Sequence, residues 1–314
     1  MQQLQLFPNR ASTIGTGVDH LYFYLVGVSG FFSILIFTLI FIFAIKYRRR
    51  SPADRAQQIA GNVPLELAWA LIPFGLEMIM FFWGASLYFR HYQAPPDAED
   101  IYVVGKQWMW KLQHPEGPRE INELHVPVGR PFRLILASED VIHSFYIPAF
   151  RIKQDAVPGM YTTEWFQATS VGKYHLFCAE YCGTNHSRMT GWIYVMDPGD
   201  YQNWLSGGAP GESMAAAGAR HFSRLGCAGC HVPDNSGRGP SLVGLYGSQV
   251  RLVGGRTAFA DDSYIRACIM TPSVNRVANY PPIMPTFRGV ISEEELSQIV
   301  EYIKSLNQGA RIQP

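Results

Sequence analysis

Cys178-Ala-Glu-Tyr-Cys-Gly-Thr-Asn-His-Ser-Arg-Met189 sets two thiols, an imidazole and a thioether in a C-x3-C-x3-H-x2-M pattern. Such spacings would line one face of a helix, but Gly183, Thr184 and Asn185 interrupt the segment, so it reads as a ligand-bearing loop. Soft sulfur donors beside imidazole favour copper over magnesium or calcium. Downstream, Cys227-Ala-Gly-Cys-His231 is the C-x-x-C-H sequence that attaches a c-type haem through two thioethers and one axial histidine. Two redox centres on one chain imply a conduit for electrons.

Working outward from the loop, the flanking sequence alternates with period two. Ile101 to Val104, Gln107 to Leu112, Phe132 to Leu136, Ser144 to Ile147, Thr162 to Phe166, Tyr174 to Phe177 and Trp192 to Met196 are short, aromatic and β-branched, and separated by Gly or Pro turns. That spacing predicts a β-sandwich or small barrel over residues 94–205, opening at the proline-bearing break Ala94 to Asp100. The glycine-rich stretch Ser206 to Ser213 is a linker by composition, and residues 206–314 form a linker and an all-α tail. In that tail, Ala215 to Arg224 and Asp262 to Met270 read as helices. Ser292-Glu-Glu-Glu295 is a capping box before a helix with Leu296, Ile299, Val300 and Ile303 on one face.

Ahead of the sandwich, residues 1–93 are of a different kind. Leu21 to Ile45 holds no charged residue and Leu67 to Phe89 only Glu77, so two spans are expected at about 21–45 and 67–89, each beyond the ~20 residues a bilayer crossing needs. The basic connection Lys46 to Arg55 places that turn in the cytoplasm and both chain ends outside. Residues 1 to 20 lack an apolar run, so no cleaved signal peptide is expected and the first span anchors the chain. A net charge of +1 over 314 residues gives no field for nucleic acid, which is not expected as a partner. Four of the five cysteines sit at ligand spacings, so no structural disulfide is expected; Cys268 reads as a small buried hydrophobe.

The residues leave the metal open at this point. His143, on an earlier β segment, adds a second imidazole, and Cys178, Cys182, His186 and His143 would also suit a closed structural zinc site. Met189 argues for copper, since a weak axial thioether tunes copper potentials and has no use at zinc. At the haem, Met284, in the proline-stiffened Tyr280 to Thr286, is the expected sixth ligand ahead of Met270, which ends an apolar helix.

Gly105-Lys-Gln-Trp-Met-Trp110, Asp140-Val-Ile-His-Ser144, Asp155-Ala-Val-Pro-Gly159 and the Cys178 to Met189 block together resemble subunit II of haem-copper cytochrome c oxidases, from the membrane hairpin to about Pro198. The tail resembles the cytochrome c domain fused to some bacterial members. The resemblance implies a two-helix transmembrane hairpin, a cupredoxin-like Greek-key β domain and a class I type cytochrome c domain. It also implies a binuclear CuA centre bridged by Cys178 and Cys182, with His143 and His186 terminal and Met189 and the Glu180 carbonyl completing the set; the Glu180 side chain would reach a magnesium shared with subunit I. Covalent haem c would be held by Cys227, Cys230, His231 and Met284.

By the same resemblance, Trp108 is the candidate through which electrons arrive, and Glu66 the acid at the mouth of a proton path, beside the plainer reading of a solvated helix-end carboxylate. Glu77 carries no family role. Expected partners are oxidase subunits I and III, membrane lipid and an external donor, a cytochrome c or a quinol-oxidising complex. The expected place is the bacterial inner membrane, multi-pass, with both redox domains outside. Two other readings are the CuA subunit of a nitric oxide reductase and a membrane-anchored copper-delivery protein; C-x-x-C-H counts against the latter.

Overall fold

A computed structural model describes residues 7–53, 55, 61–115, 118–207 and 212–307. Asp54, and Gly208 to Gly211 of the expected linker, lie outside the described residues. Two compact units result: Ile14–Gln93, and the described residues before Ile14 together with those from Ala94 onward.

The first unit is a pair of helices, α1 (Gly15–Lys46) and α2 (Val63–Tyr92), both long and apolar enough to cross a membrane. Both outrun the charge-free stretches, and α2 starts at a side-chain cap. The Asn62 side chain accepts from Leu65 N (3.2 Å), Pro64 takes the first turn, where its missing N–H costs nothing, and Glu66 Oε1 accepts from Asn62 N (3.1 Å). Gly17 permits close approach, since a Cβ there would lie 2.6 Å from the Leu87 side chain.

The second unit is built on two five-stranded sheets. The first, in spatial order β3-β2-β1-β5-β8, comprises β1 (Glu99–Lys106), β2 (Met109–Gln113), β3 (Arg119–Ile121), β5 (Pro131–Ser138) and β8 (Thr162–Gln167). The second, β4-β10-β9-β6-β7, comprises β4 (Glu123–Pro127), β6 (His143–Ile147), β7 (Ile152–Ala156), β9 (Gly172–Cys178) and β10 (Thr190–Met196). Parallel pairs β1·β5 and β4·β10 sit among antiparallel neighbours, the mark of a cupredoxin-like Greek key. Ile101, Val103, Leu134 and Leu136 point inward with Phe145, Phe150 and Phe166. Glu164 shares the inward face of β8 with Phe166 and is buried there; burial holds its carboxyl well above the usual range, and its Oε1 has no hydrogen-bond partner.

Unlike a one-faced sheet, β1 is buried on both sides from Ile101 to Gly105, because helices cover its outer face. These are α4 (Met214–Arg224), α5 (Asp262–Met270) and α6 (Glu293–Ser305), which with a short hairpin, β11 (Gln249–Arg251) and β12 (Thr257–Phe259), make up the tail. The capping box forms as expected: Ser292 Oγ accepts from Glu295 N (3.2 Å) and Glu295 Oε2 from Ser292 N (3.0 Å). Met214 joins Tyr102, Ile135, Ala137 and Tyr161 in an apolar cluster between sheet and tail. Beside it, Lys304 Nζ lies 3.1 Å from Asp100, 2.6 Å from Asp262 and 2.9 Å from Glu301, and donates to Tyr102 Oη (2.9 Å). Arg133 grips Asp100 with two hydrogen bonds of 2.7 Å. Gln298 Nε2 donates to Gln113 Oε1 (3.2 Å) across the same seam.

One helix was not foreseen. Residues Pro198–Gly207 form α3, which overruns the predicted start of the linker and packs Tyr201 and Trp204 against His114 and His125. Glu120 joins both imidazoles, accepting from the rings of His114 (3.1 Å) and His125.

Candidate functional site

The cysteine loop is held by the strands it connects. Cys178 is the last residue of β9, Thr190 the first of β10, and the register Thr190↔Phe177 closes the loop at its base. Cys178 N donates to Met189 O (3.1 Å) and Ala179 N to Ser144 O (2.9 Å). Because Phe145 pairs with Cys178 across β6 and β9, His143, at the start of β6, arrives beside the same loop.

The donor atoms converge. Cys178 Sγ and Cys182 Sγ are 3.7 Å apart; His143 Nδ1 is 4.0 Å from Cys178 Sγ, and His186 Nδ1 is 3.4 Å from Cys182 Sγ. Met189 Sδ lies 3.8 Å from Cys182 Sγ, and the Glu180 carbonyl 3.2 Å from Cys178 Sγ. All six residues named from the sequence therefore meet at one point. His143 and Met189 are fully buried and Cys182 nearly so.

A layer of supporting contacts surrounds them, which spacing alone does not reveal. His143 turns Nε2 to Asp140 Oδ1 (2.8 Å), which leaves Nδ1 for a metal. Burial opposes ionisation of Asp140, yet the Gln107 N–H (2.8 Å) and the His143 ring outweigh it and hold the carboxyl below its usual range. Gln107 Nε2 (2.8 Å) and Trp108 Nε1 (3.1 Å) both donate to the Cys182 carbonyl. Gly105 is required by crowding: a Cβ would lie 2.8 Å from the His143 ring and 3.2 Å from Trp110. Trp110 is a core residue, edge-on to His143 and Phe145.

The thiols themselves are unequal. Burial raises both, but His143 and nearby backbone hydrogen bonds bring Cys178 down to about 6, while burial and the adjacent Cys178 thiolate push Cys182 up to about 12. One sulfur ionises readily and the second only when a cation shares the site. Such a pair, with imidazole and thioether beside it, fits soft copper in its donor chemistry.

In the tail, Cys227 and Cys230 flank a single helical turn that starts from Gly226 at φ 76°, and His231 N donates back to Cys227 O (3.0 Å). The His231 ring donates through Nδ1 to Pro240 O (2.8 Å), leaving Nε2 for iron, and a Cβ on Gly239 would press within 2.9 Å of that ring. These residues edge a cavity of about 990 Å³ whose wall includes Met284, Met270 and Cys268. A porphyrin suits such an apolar slot with two thiols and an imidazole at its margin. Cys268 is only half-buried, as part of the cavity wall.

At the hairpin, Glu66 lies in the first turn of α2, accepts from the N–H of the capping residue Asn62 and is exposed; Glu77 is exposed as well.

Comparison with known proteins agrees with this anatomy. Residues 119–195 match the family described as cytochrome C oxidase subunit II, periplasmic domain, and residues 215–307 match cytochrome c. The cytochrome c oxidase subunit 2 of Alkalihalophilus pseudofirmus is 30% identical over 289 residues, covering 87% of this chain and 82% of the relative. The chain belongs to the cytochrome c oxidase subunit 2 family. A second member of that family, from Thermostichus vulcanus, is 29% identical over 253 residues, 63% of this chain and 77% of its own. Membership makes this chain part of a haem-copper oxidase complex, an oxidoreductase with other subunits and a redox partner, and implies copper in the sandwich and haem c in the tail. The two apolar helices and the periplasmic-domain match fit a bacterial membrane protein with its redox domains in the periplasm.

Proposed function

We propose that this subunit takes electrons from an external donor, a cytochrome c or a quinol-oxidising complex, and hands them to haem in subunit I, where oxygen is reduced to water with proton translocation. It does so as a multi-pass protein of the inner membrane, with subunits I and III and lipid as neighbours. When bound, covalent haem c and a binuclear CuA centre supply the one-electron chemistry. The observation that carries this reading is the convergence of Cys178, Cys182, His143, His186, Met189 and the Glu180 carbonyl, each within 4.0 Å of a neighbouring donor, with His143, Cys178, Cys182 and Met189 buried.

In this reading Cys178 and Cys182 would hold copper through their thiolates, His143 and His186 through their imidazoles, and Met189 and the Glu180 carbonyl would complete the donor set. Asp140 keeps His143 in the tautomer that offers Nδ1. Gln107 and Trp108, by donating to the Cys182 carbonyl, fix the sulfur that follows from it, so the donor frame changes little as charge arrives or leaves. Trp108 is half-exposed above that carbonyl, a place suited to receiving electrons. The exposed Glu180 carboxylate is free to reach a magnesium shared with subunit I. Cys227 and Cys230 would attach haem c through thioethers, and His231 Nε2 and Met284 would hold its iron. Glu66, exposed in the first turn of α2, is the acid proposed for the mouth of a proton path.

Electron paramagnetic resonance of the purified complex tests this. One unpaired electron shared equally by two coppers is expected; a single-copper spectrum, or stoichiometric zinc, rules the reading out.

A further inference from the structure

Between the tail and the copper loop runs an unbroken line of ionic and bonded contacts. It starts beside the haem attachment. Arg224 ends α4, three residues before Cys227, and its Nη2 donates to Glu295 Oε1 (2.7 Å) at the start of α6. The neighbouring Glu294 turns to the sandwich instead: Oε1 lies 3.0 Å from Arg119 and Oε2 4.0 Å from Lys111 Nζ on β2. Lys111 in turn donates to Glu139 Oε1 (2.9 Å), and Lys106 reaches the other oxygen (2.9 Å).

Glu139 leads inward. Burial opposes its ionisation, but hydrogen bonds from Lys106 and Lys111 hold the carboxyl below its usual range, so the bridge is ionic at neutral pH. The next residue, Asp140, holds His143 Nε2 (2.8 Å). Glu139 N also donates to the carbonyl of Gly105 (3.0 Å), the glycine whose missing Cβ makes room for the His143 ring. Both links end on one copper-binding imidazole. Gln107 and Trp108 stand off this line, since their hydrogen bonds to the Cys182 carbonyl stay within the sandwich.

We propose that, on the functional reading above, the Lys111–Glu139 ion pair couples the haem of the tail to the copper centre and brings its electron in at His143. Lys111 and Glu139 are positioning residues, acting through Asp140 and His143 rather than as ligands. They bridge the space between tail and sandwich with contacts of 4.0 Å or less. Tunnelling decays less steeply along bonds and hydrogen bonds than across open space. One electron leaves ferrous haem, which becomes ferric, and the oxidised copper centre gains it, with no bond made or broken. Trp108, half-exposed, stays open to a donor outside the chain.

The test is flash-initiated transfer in the detergent-purified complex, with haem c and copper followed by their separate absorption bands. Lys111→Met and Glu139→Leu should each slow haem-to-copper transfer several-fold, and Lys111→Arg should restore most of the rate. The copper midpoint potential separates a route from a field. Losing a cation near copper lowers the potential and losing an anion raises it, so the two variants should shift it in opposite directions while both slow the transfer.

Faster transfer in Glu139→Leu overturns the proposal, because driving force alone then sets the rate; a parental rate in either variant, or a shift of both potentials in one direction, overturns it too. Among the described residues the ion pairs of Glu139 are with Lys106 and Lys111, both in the sandwich, so its replacement leaves α6 docked. Hydrogen exchange that finds α6 released in both slow variants overturns the proposal by assigning the effect to docking. Paramagnetic resonance and haem absorption of the same samples separate the two levels. Absence of the two-copper signal or of thioether-bound haem overturns the functional reading as well, whereas both signals with unchanged rates overturn this proposal alone.

Discussion

At the copper loop each donor already lies within 4.0 Å of a neighbouring donor, and the group sits on strand hydrogen bonds that need no metal. Around His231 the walls stand apart and leave a cavity of about 990 Å³. Residues on that wall, Ile265, Ile269, Ile299 and Ile303, belong to the apolar core of the tail itself. The sandwich therefore has a complete core with a site on its rim, whereas the tail has a core with its centre reserved.

The sharpest break of this contrast is to deny the tail its filling. In Cys227→Ala/Cys230→Ala, residues 214–307 are expected to lose their folded core and be degraded in limited proteolysis, while residues 99–196 survive as a protected fragment. Mass spectrometry of the digest reads the outcome, and an intact tail would show that its core is self-sufficient.

The next largest effect falls on the seam between the regions. Lys304→Met leaves Asp100, Asp262 and Glu301 crowded without their shared cation, and should lower stability by about 3–5 kcal/mol in chemical denaturation. The pH window follows from the shifts at this seam. Burial opposes ionisation of Asp100, but hydrogen bonds and charge from Arg133 and Lys304 win and depress its pKa. Its stabilisation is thus present above the unfolded value of about 3.9 and is lost as pH falls through the lower folded one. Lys304 is raised, despite burial, by Asp262, Glu301 and Asp100, so its share is present below about 10.4 and fades only at still higher pH. Denaturation followed against pH should find the seam strongest between roughly pH 4 and 10.

Glu164 gives a smaller effect of opposite sign. Its folded pKa is raised by burial, so its favourable contribution exists below the unfolded value of about 4.3 and is lost as pH rises toward the folded one. Glu164→Leu should stabilise the sandwich by about 1–3 kcal/mol at pH 8 and hardly at all near pH 4, read as thermal midpoints. Least of all should change when copper is stripped by a chelator: hydrogen exchange at β9 and β10 is expected to keep its protection. Wholesale loss of that protection would show that metal, rather than strand pairing, holds the loop.

How much of this was legible in the sequence depends on what sets each feature. The donor loop was, because Gly183 to Asn185 forbid a helix and the sulfur spacing is chemical. The helices α4, α5 and α6 were, through Ser292 and the apolar face from Leu296 to Ile303. Strands β3, β4 and β7 were not: Arg119–Ile121 and Ile152–Ala156 carry too little alternation, and neighbouring strands impose their conformation. Helix α3 was hidden by its glycines and revealed by the docking of Tyr201 and Trp204. The bond from Asp140 to His143, the paired donors on the Cys182 carbonyl and the Lys111–Glu139 ion pair depend on distances between remote segments, which periodicity does not encode.

The cradle around Lys304 carries a lesson about gene fusion. Its walls come from both parts of the chain: Asp100, Tyr102 and Arg133 from early strands, Asp262 and Glu301 from the appended segment. A lineage that deleted that segment would strand Arg133 and Asp100 together with the greasy patch of Tyr102, Ile135 and Tyr161 in water. Reverting to a stand-alone oxidase subunit would then demand coordinated changes on several strands upstream of the deletion, so the merger works as an evolutionary ratchet.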